Sequence, residues 1–233
     1  MTSTRVKKPH NSLQVRLDDL LEYEPITKNQ EVTYDAWEED YNLVLTGSAG
    51  TGKTFMGMYL GLEQVLDPDS AQDRLVIIRS MVPTRDMGFL PGTKQEKEDA
   101  FTAPYKSICN ELLGDKSSYN KMITAKQIQF ESTSFIRGLT YDNSIIIVDE
   151  MQNLNFHELD SVITRVGRNS KIIFCGDYRQ SDFKHTEEKN GIINFIQIVE
   201  QLKNFTIINF GWEDIVRSDF VRDYIMTKEM LGF

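Results

Sequence analysis

Six short, almost wholly apolar runs punctuate the chain: Leu43–Thr46, Leu75–Arg79, Ile128–Glu131, Ser144–Val148, Lys171–Cys175 and Phe205–Phe210. Ile145-Ile146-Ile147-Val148 shows no alternation of apolar and polar positions, which is how a strand buried on both faces reads. Helix-spaced apolar patterns fall between several of the runs, over Phe55–Leu66, Tyr105–Leu113, Phe156–Val166 and Ile192–Leu202. Alternation of this kind predicts an α/β fold, a mostly parallel sheet flanked by helices on both faces. Ahead of it, residues 1–12 are polar and basic, and Leu13, Leu17, Leu20 and Leu21 recur at helical spacing. Residues 1–24 therefore read as an N-terminal arm with a short helix, either packed on the domain or offered to a neighbouring subunit, and Pro25 marks its end. Residues 25–233 read as the domain proper. Its longest interruption, about 81–125, holds Gly88-Phe89-Leu90-Pro91-Gly92 and the charged run Lys94–Asp99. That stretch reads as a solvated helical hairpin or as a contact for nucleic acid or a subunit.

Composition narrows the setting. A chain of 233 residues suits one large domain whose core needs no covalent staple. Cys109 and Cys175 match no metal spacing, and Cys175 lies in the apolar run Ile172-Ile173-Phe174, so a buried structural thiol is expected. His10, His157 and His185 are scattered, and no zinc site is expected from them. No apolar run approaches the ~20 residues of a membrane span, and no apolar signal core follows the first residues, so a cytoplasmic protein without membrane partners is expected. The net charge of −9 argues against broad, non-specific binding to duplex DNA, although a local basic groove is compatible with an acidic total.

The chemistry is concentrated after the first apolar run. Gly47-Ser48-Ala49-Gly50-Thr51-Gly52-Lys53-Thr54 fits the phosphate-binding pattern G-x-x-x-x-G-K-[ST] between a strand and a helix. Gly47, Gly50 and Gly52 let the backbone turn tightly and approach oxygen atoms, and the N–H groups form an anion-binding concavity at a helix N-terminus. Lys53 supplies a point charge for phosphates, and Thr54 a hydroxyl for Mg²⁺. The run Ile145–Val148 ends in Asp149 and Glu150. Acids at the carboxyl end of a parallel strand sit beside the phosphate crevice, where Asp149 can hold Mg²⁺ and Glu150 can polarise an attacking water. Asp177 and Gln180 follow the run Lys171–Cys175 and can face the terminal phosphate from another strand.

Taken in order, these motifs resemble those of PhoH-like ATPases of the P-loop class, which are related to the motor domain of superfamily-one helicases. Pro25–Gln30 resembles the family's adenine-side glutamine motif, and the octet at Gly47 its Walker A. Arg79–Pro83 and Gly88–Gly92 resemble its T-R-P and G-F-L-P-G segments, and Phe135–Gly138 its M-R-G-R segment. Asp149–Asn153 resembles D-E-A-Q-N, Thr164–Gly167 lies in a stretch like F-L-T-R-L-G, Gly176–Gln180 matches G-D-x-x-Q, and Asp214–Arg217 resembles D-V-V-R. The likeness runs over about residues 25–225. Ser48 stands where the family usually has proline, Met151 replaces an alanine, and Ser218-Asp219 replaces a His-Pro pair, which removes any role for that histidine.

The resemblance implies a RecA-like fold and an Mg²⁺-dependent ATPase, with ATP over the loop at Gly47 and Gln30 at the adenine edge. It implies an oligomeric ATP-driven motor or remodeller on single-stranded RNA or DNA. A nucleotide-gated regulatory module that hydrolyses ATP without unwinding is the alternative, and a small-molecule kinase a weaker third. Phe89 and Phe101 could stack bases, and Arg79, Arg85, Lys94 and Lys97 could meet phosphates, with Glu96, Glu98 and Asp99 interleaved against them. The related two-domain motors receive an arginine from their second domain, so a single-domain chain is expected to borrow one in a homo-oligomer, the hexameric ring that the family suggests. Arg217 is the first candidate, with Arg137, Arg165 and Arg222 behind it. The chain's compactness resembles phage-encoded members, which would put it in the host cytoplasm.

Overall fold

The computed structural model describes residues 14–80, 94–177 and 186–232, with side chains over the same ranges less 94–98 and 186–190. Six strands, β1 (Asn42–Gly47), β2 (Arg74–Arg79), β3 (Ile128–Ser132), β4 (Ser144–Val148), β5 (Lys171–Gly176) and β6 (Phe205–Phe210), form one sheet in the order β3-β2-β4-β5-β1-β6. Every pairing is parallel, as the unbroken apolar runs require. Among the described residues seven α-helices accompany them: α1 (Lys28–Glu38), α2 (Lys53–Leu66), α3 (Lys94–Leu113), α4 (Ser118–Thr124), α5 (Phe156–Ile163), α6 (Thr186–Val199) and α7 (Asp219–Met230).

Strand side chains alternate between two cores, one on each face of the sheet. Leu43, Leu45, Leu75, Ile77, Ile145, Ile147 and Ile173 enter the first, against Met58 and Leu62 of α2, Tyr105 and Leu112 of α3, and Met122 of α4. Val44, Val76, Ile78, Ile146, Val148, Ile172 and Phe174 enter the second, against Leu159 and Val162 of α5 and Phe195 and Val199 of α6. α5 begins on a reciprocal cap: Asn155 accepts from the Glu158 N–H, and the Glu158 carboxylate accepts from the Asn155 N–H.

The helical spacing of Leu17, Leu20 and Leu21 produces one 3₁₀ turn, Leu17–Asp19, rather than a longer helix, while Val15 and Leu20 are buried in the first core. Leu13 of that pattern lies outside the described residues. The long interruption is not a merely solvated hairpin where it is described, because Tyr105, Cys109 and Leu112 of α3 are fully buried. Among the described residues no helix is long and apolar enough to cross a membrane.

The carboxyl ends of β1, β4 and β5 lie along one edge of the sheet, and β5 stands between β1 and β4. Gly47 ends β1, and Asp149 and Asp177 follow directly from β4 and β5. That edge is where ligands of open parallel sheets bind.

Candidate nucleotide site

The loop from β1 to α2 takes its shape from positive backbone angles and close packing. Gly47 has φ +115, and a Cβ there would stand 2.1 Å from the carbonyl oxygen of Phe210 on β6. Any side chain would therefore push the loop off the neighbouring strand. Gly50 has φ +75 and packs against the Arg217 side chain. Ser48 donates its N–H to Phe210 O at 3.0 Å, a bond that proline could not make, and its hydroxyl donates to Glu229 of α7 at 2.9 Å. The first N–H groups of α2 have no partner within the helix and open toward the loop.

Lys53 is folded onto its own loop. Its ammonium donates to Gly47 O at 2.8 Å, Ser48 O at 2.7 Å and Thr51 Oγ1 at 3.3 Å. Burial pushes its pKa down, and neighbouring Cys175, Asp177, Glu150 and Asp149 oppose that shift. A charge held this close to acidic groups and so poorly hydrated gains much from an incoming phosphate.

Thr54 and Asp149 meet although 95 residues separate them: Thr54 Oγ1 donates to Asp149 Oδ1 at 2.8 Å. Tyr105 of α3 donates to the other carboxylate oxygen, Oδ2, also at 2.8 Å. Burial raises the Tyr105 pKa, with the Asp149 charge adding to the effect, so the phenol keeps its proton and acts as donor. The Thr54–Asp149 pair fits a magnesium ion. Two ligands on adjacent corners of an octahedron with arms of about 2.0–2.1 Å stand about 2.9 Å apart. Among the described residues no three His, Cys, Asp or Glu side chains gather into a cage, and Mg²⁺ characteristically takes one or two protein ligands plus water and phosphate.

Glu150 occupies the left-handed region, φ 52 and ψ 44, which a residue with a side chain adopts at a cost of ~1–3 kcal/mol. That backbone turns the side chain into the same cleft as Asp149 and Lys53. Gln152 holds it there. The Gln152 amide nitrogen donates to Glu150 Oε2, and its amide oxygen accepts from the Asp177 N–H at 3.1 Å. One side chain thus links the acid of β4 to the turn after β5. Gln152 was available in the D-E-M-Q-N stretch, but its bridging position follows from the fold and not from the spacing.

Gln30 is not a solvated residue ahead of a helix. It lies in the first turn of α1 and is buried. Its amide oxygen accepts from Ile26 N–H at 2.9 Å and its nitrogen donates to Thr51 O at 3.4 Å. The amide retains one donor and one lone pair beyond these bonds. On the far side, Asp214 is fully buried and accepts from Asn29 Nδ2 at 2.7 Å and the Gly211 N–H at 2.8 Å. This anchor lets Val216 donate its N–H to Gly50 O at 3.0 Å. Arg217 follows directly, with its side chain against Gly50 of its own loop. On sequence this arginine is offered to a neighbouring subunit; in the structure it lines the cleft of its own chain. Ser218 and Asp219, in place of His-Pro, form the N-terminus of α7.

These residues surround one cleft of about 700 Å³, lined by Ile26, Gln30, Gly47, Ala49–Phe55, Asp149, Glu150, Gly176, Asp177, Val216 and Arg217 among others. The volume falls within the range of small-molecule sites. Gln180 lies outside the described residues, as do Arg85 and Gly88–Gly92 with Phe89; the side chains of Lys94 and Lys97 do too. Arg137 and Arg222 are exposed, and Arg165 donates Nε to Ser161 O at 3.3 Å; none of the three lines the cleft.

Cys175 lies beneath the loop helix, with its thiol against Lys53 O at 3.7 Å. Burial pushes the Cys109 pKa up to about 12 and that of Cys175 well above its ordinary value. Neither thiol should react with Ellman's reagent in the native protein at pH 8, and both should react in denaturant. Rapid native labelling at either site would contradict this packing.

The family model described as "PhoH-like protein" matches residues 22–228. Protein PhoH2 of Bacillus subtilis (strain 168) is 36% identical over 170 residues, which is 71% of this chain and 38% of that protein. A PhoH-like protein of Synechocystis sp. is 32% identical over 184 residues, 78% of this chain and 55% of that protein. The chain thus spans about half the length, or less, of these curated relatives. Among solved structures, the large terminase of a thermophilic bacteriophage, in complex with ADP, aligns over 88% of this chain and 50% of its own, at 13% identity and a TM-score of 0.49.

Proposed function

The chain belongs to the PhoH-like family, and on that premise we propose that it is an Mg²⁺-dependent ATPase working as an oligomeric motor or remodeller on single-stranded RNA or DNA. The observation that carries the hydrolytic part is the convergence of Lys53, Thr54, Asp149 and Glu150 on one cleft, with Thr54 and Asp149 2.8 Å apart. In this reading Lys53 leaves the carbonyls of its loop for the β- and γ-phosphates. Thr54 and Asp149 hold Mg²⁺, which supplies charge neutralisation on the phosphates. Glu150 orients and polarises the attacking water, and Gln152 keeps its carboxylate aimed. Asp177 and Gln180 read the terminal phosphate. Gln30 uses its remaining donor and lone pair on the adenine edge while its existing bonds tie that edge to Thr51.

The nucleic-acid part draws on the resemblance of Arg79–Pro83 and Gly88–Gly92 to strand-contact segments. Arg79 lies over the Phe101 ring at 5.9 Å, so a basic group and an aromatic one are paired where β2 ends. A homo-oligomer, a hexameric ring by the family likeness, completes the proposal.

An ATPase assay at low salt, with and without single-stranded RNA and DNA and beside a mass measurement of the assembly, tests these parts separately. Turnover should require Mg²⁺ and rise several-fold with one of the strands. Turnover that is flat across both, with a partner bound differently in ADP and in a non-hydrolysable analogue, would favour the nucleotide-gated module. Phosphate appearing on an acceptor other than water would point to a kinase, and a monomeric mass would remove the ring.

A further inference from the structure

Asp149 is held from a direction that the phosphate loop does not explain. Its two carboxylate oxygens have separate partners: Oδ1 accepts from Thr54 and Oδ2 from Tyr105, each at 2.8 Å. Tyr105 is fully buried, and its ring packs against Phe130 with centroids 5.9 Å apart. If packing alone mattered there, phenylalanine would serve, because burying a hydroxyl is costly unless it is hydrogen-bonded. Behind the phenol, the Arg79 guanidinium bears electrostatically on the same hydroxyl and on Asp149. Arg79 is also steadied over Phe101, one turn before Tyr105 on α3. The ring holds the hydroxyl in place, and the carboxylate it meets cannot rotate without breaking that bond.

We infer that Tyr105 is a positioning residue for Asp149: it occupies Oδ2 and so keeps Oδ1 facing Thr54, which sets how tightly the site takes Mg²⁺ with nucleotide. This rests on the reading of the cleft as an Mg²⁺–nucleotide site. Partners that orient a ligating carboxylate typically change metal affinity by about 10–100-fold when removed. The assignment differs from a packing role in what it predicts. Loss of packing would weaken the fold and all nucleotide binding together, whereas loss of orientation weakens only the metal-dependent part.

The test is Tyr105→Phe in the full chain, which removes one oxygen and keeps the ring. A fluorescent ADP analogue is titrated first in EDTA and then against MgCl₂. Affinity in EDTA should match the wild type, while the MgCl₂ concentration for half-maximal effect should rise about 10–100-fold. Superimposable MgCl₂ curves for a folded Tyr105→Phe protein would overturn the inference. Should that variant fail to fold, Arg79→Met leaves the phenol and its bond to Asp149 in place but removes the charge beside them, and it should shift the MgCl₂ curve in the same direction by a smaller factor; an unmoved curve would again overturn the inference. Wild-type protein whose analogue binding ignores MgCl₂ would instead remove the underlying reading of the cleft.

Discussion

Glu150→Gln is expected to lower ATP turnover by about 10²–10⁴-fold while leaving nucleotide binding intact. The substitution keeps the shape of the side chain and removes its charge. Nucleotide affinity should survive because the proposal gives the phosphate contacts to Lys53, to the loop backbone and to the Thr54–Asp149 pair, none of which the substitution touches. Hydrolysis should not survive, because the proposal assigns the polarising of water to the carboxylate that the strained backbone at φ 52 and the Gln152 amide hold in the cleft. Single-turnover phosphate release, run beside equilibrium binding of a fluorescent ATP analogue, separates the two. A Glu150→Gln protein that turns over within a few-fold of the wild type would remove Glu150 from the chemistry. Gln152→Leu supplies a graded control: it removes both the bond to Glu150 and the bond from Asp177, so its loss should be smaller and in the same direction.

The sequence discloses the sheet far more readily than the cleft. The sheet was legible because all-parallel strands covered on both faces must be apolar at every position, and Ile145, Ile146, Ile147 and Val148 are all fully buried. The phosphate loop was legible because its residues are contiguous. Helices with weak apolar stripes were not. α1 buries only Ala36 and Trp37 as apolar residues along its length, and α7 buries none. The first turns of α3 carry charged residues, so periodicity marked only its buried end from Tyr105, and the helix runs through Pro104 where a break is the usual expectation. The last turn sought for α5 is absent: the helix stops at Ile163.

Contacts across the cleft were the least legible of all. Tyr105 and Asp149 are 44 residues apart, and Gln30 and Thr51 lie on different elements. No spacing rule connects such pairs; the packing of α3 in the first core and the docking of α1 beside the loop do. The same holds for Asp214, whose buried carboxylate looks on sequence like one more acid. It ties Asn29 of α1 to the turn after β6 and so determines where the next residues of the chain run.

Those next residues carry the second large effect. Arg217→Ala is expected to slow turnover by about 10³–10⁵-fold, the effect of an arginine that stabilises charge on a transferred phosphoryl group. The resemblance of the sequence motifs to those of two-domain motors, which receive such an arginine from outside the phosphate-loop domain, argues on sequence for a donor in the next subunit. The geometry argues for the same chain. Val216 is bonded to Gly50 O at 3.0 Å, and the Arg217 Cγ stands 3.0 Å from where a Gly50 side chain would begin, at the rim of its own cleft. Mixing decides between the two. Lys53→Ala and Arg217→Ala subunits, each inactive alone, should give no activity above the sum of the parents when co-assembled and verified by mass. In a same-chain arrangement neither mutant ever presents a whole site. Recovery on mixing would show instead that Arg217 serves a neighbour. Absent recovery with Arg217, the search for a donor in trans would pass to the exposed Arg137 and Arg222, and last to Arg165, whose guanidinium is already bonded to Ser161 of the helix just before it.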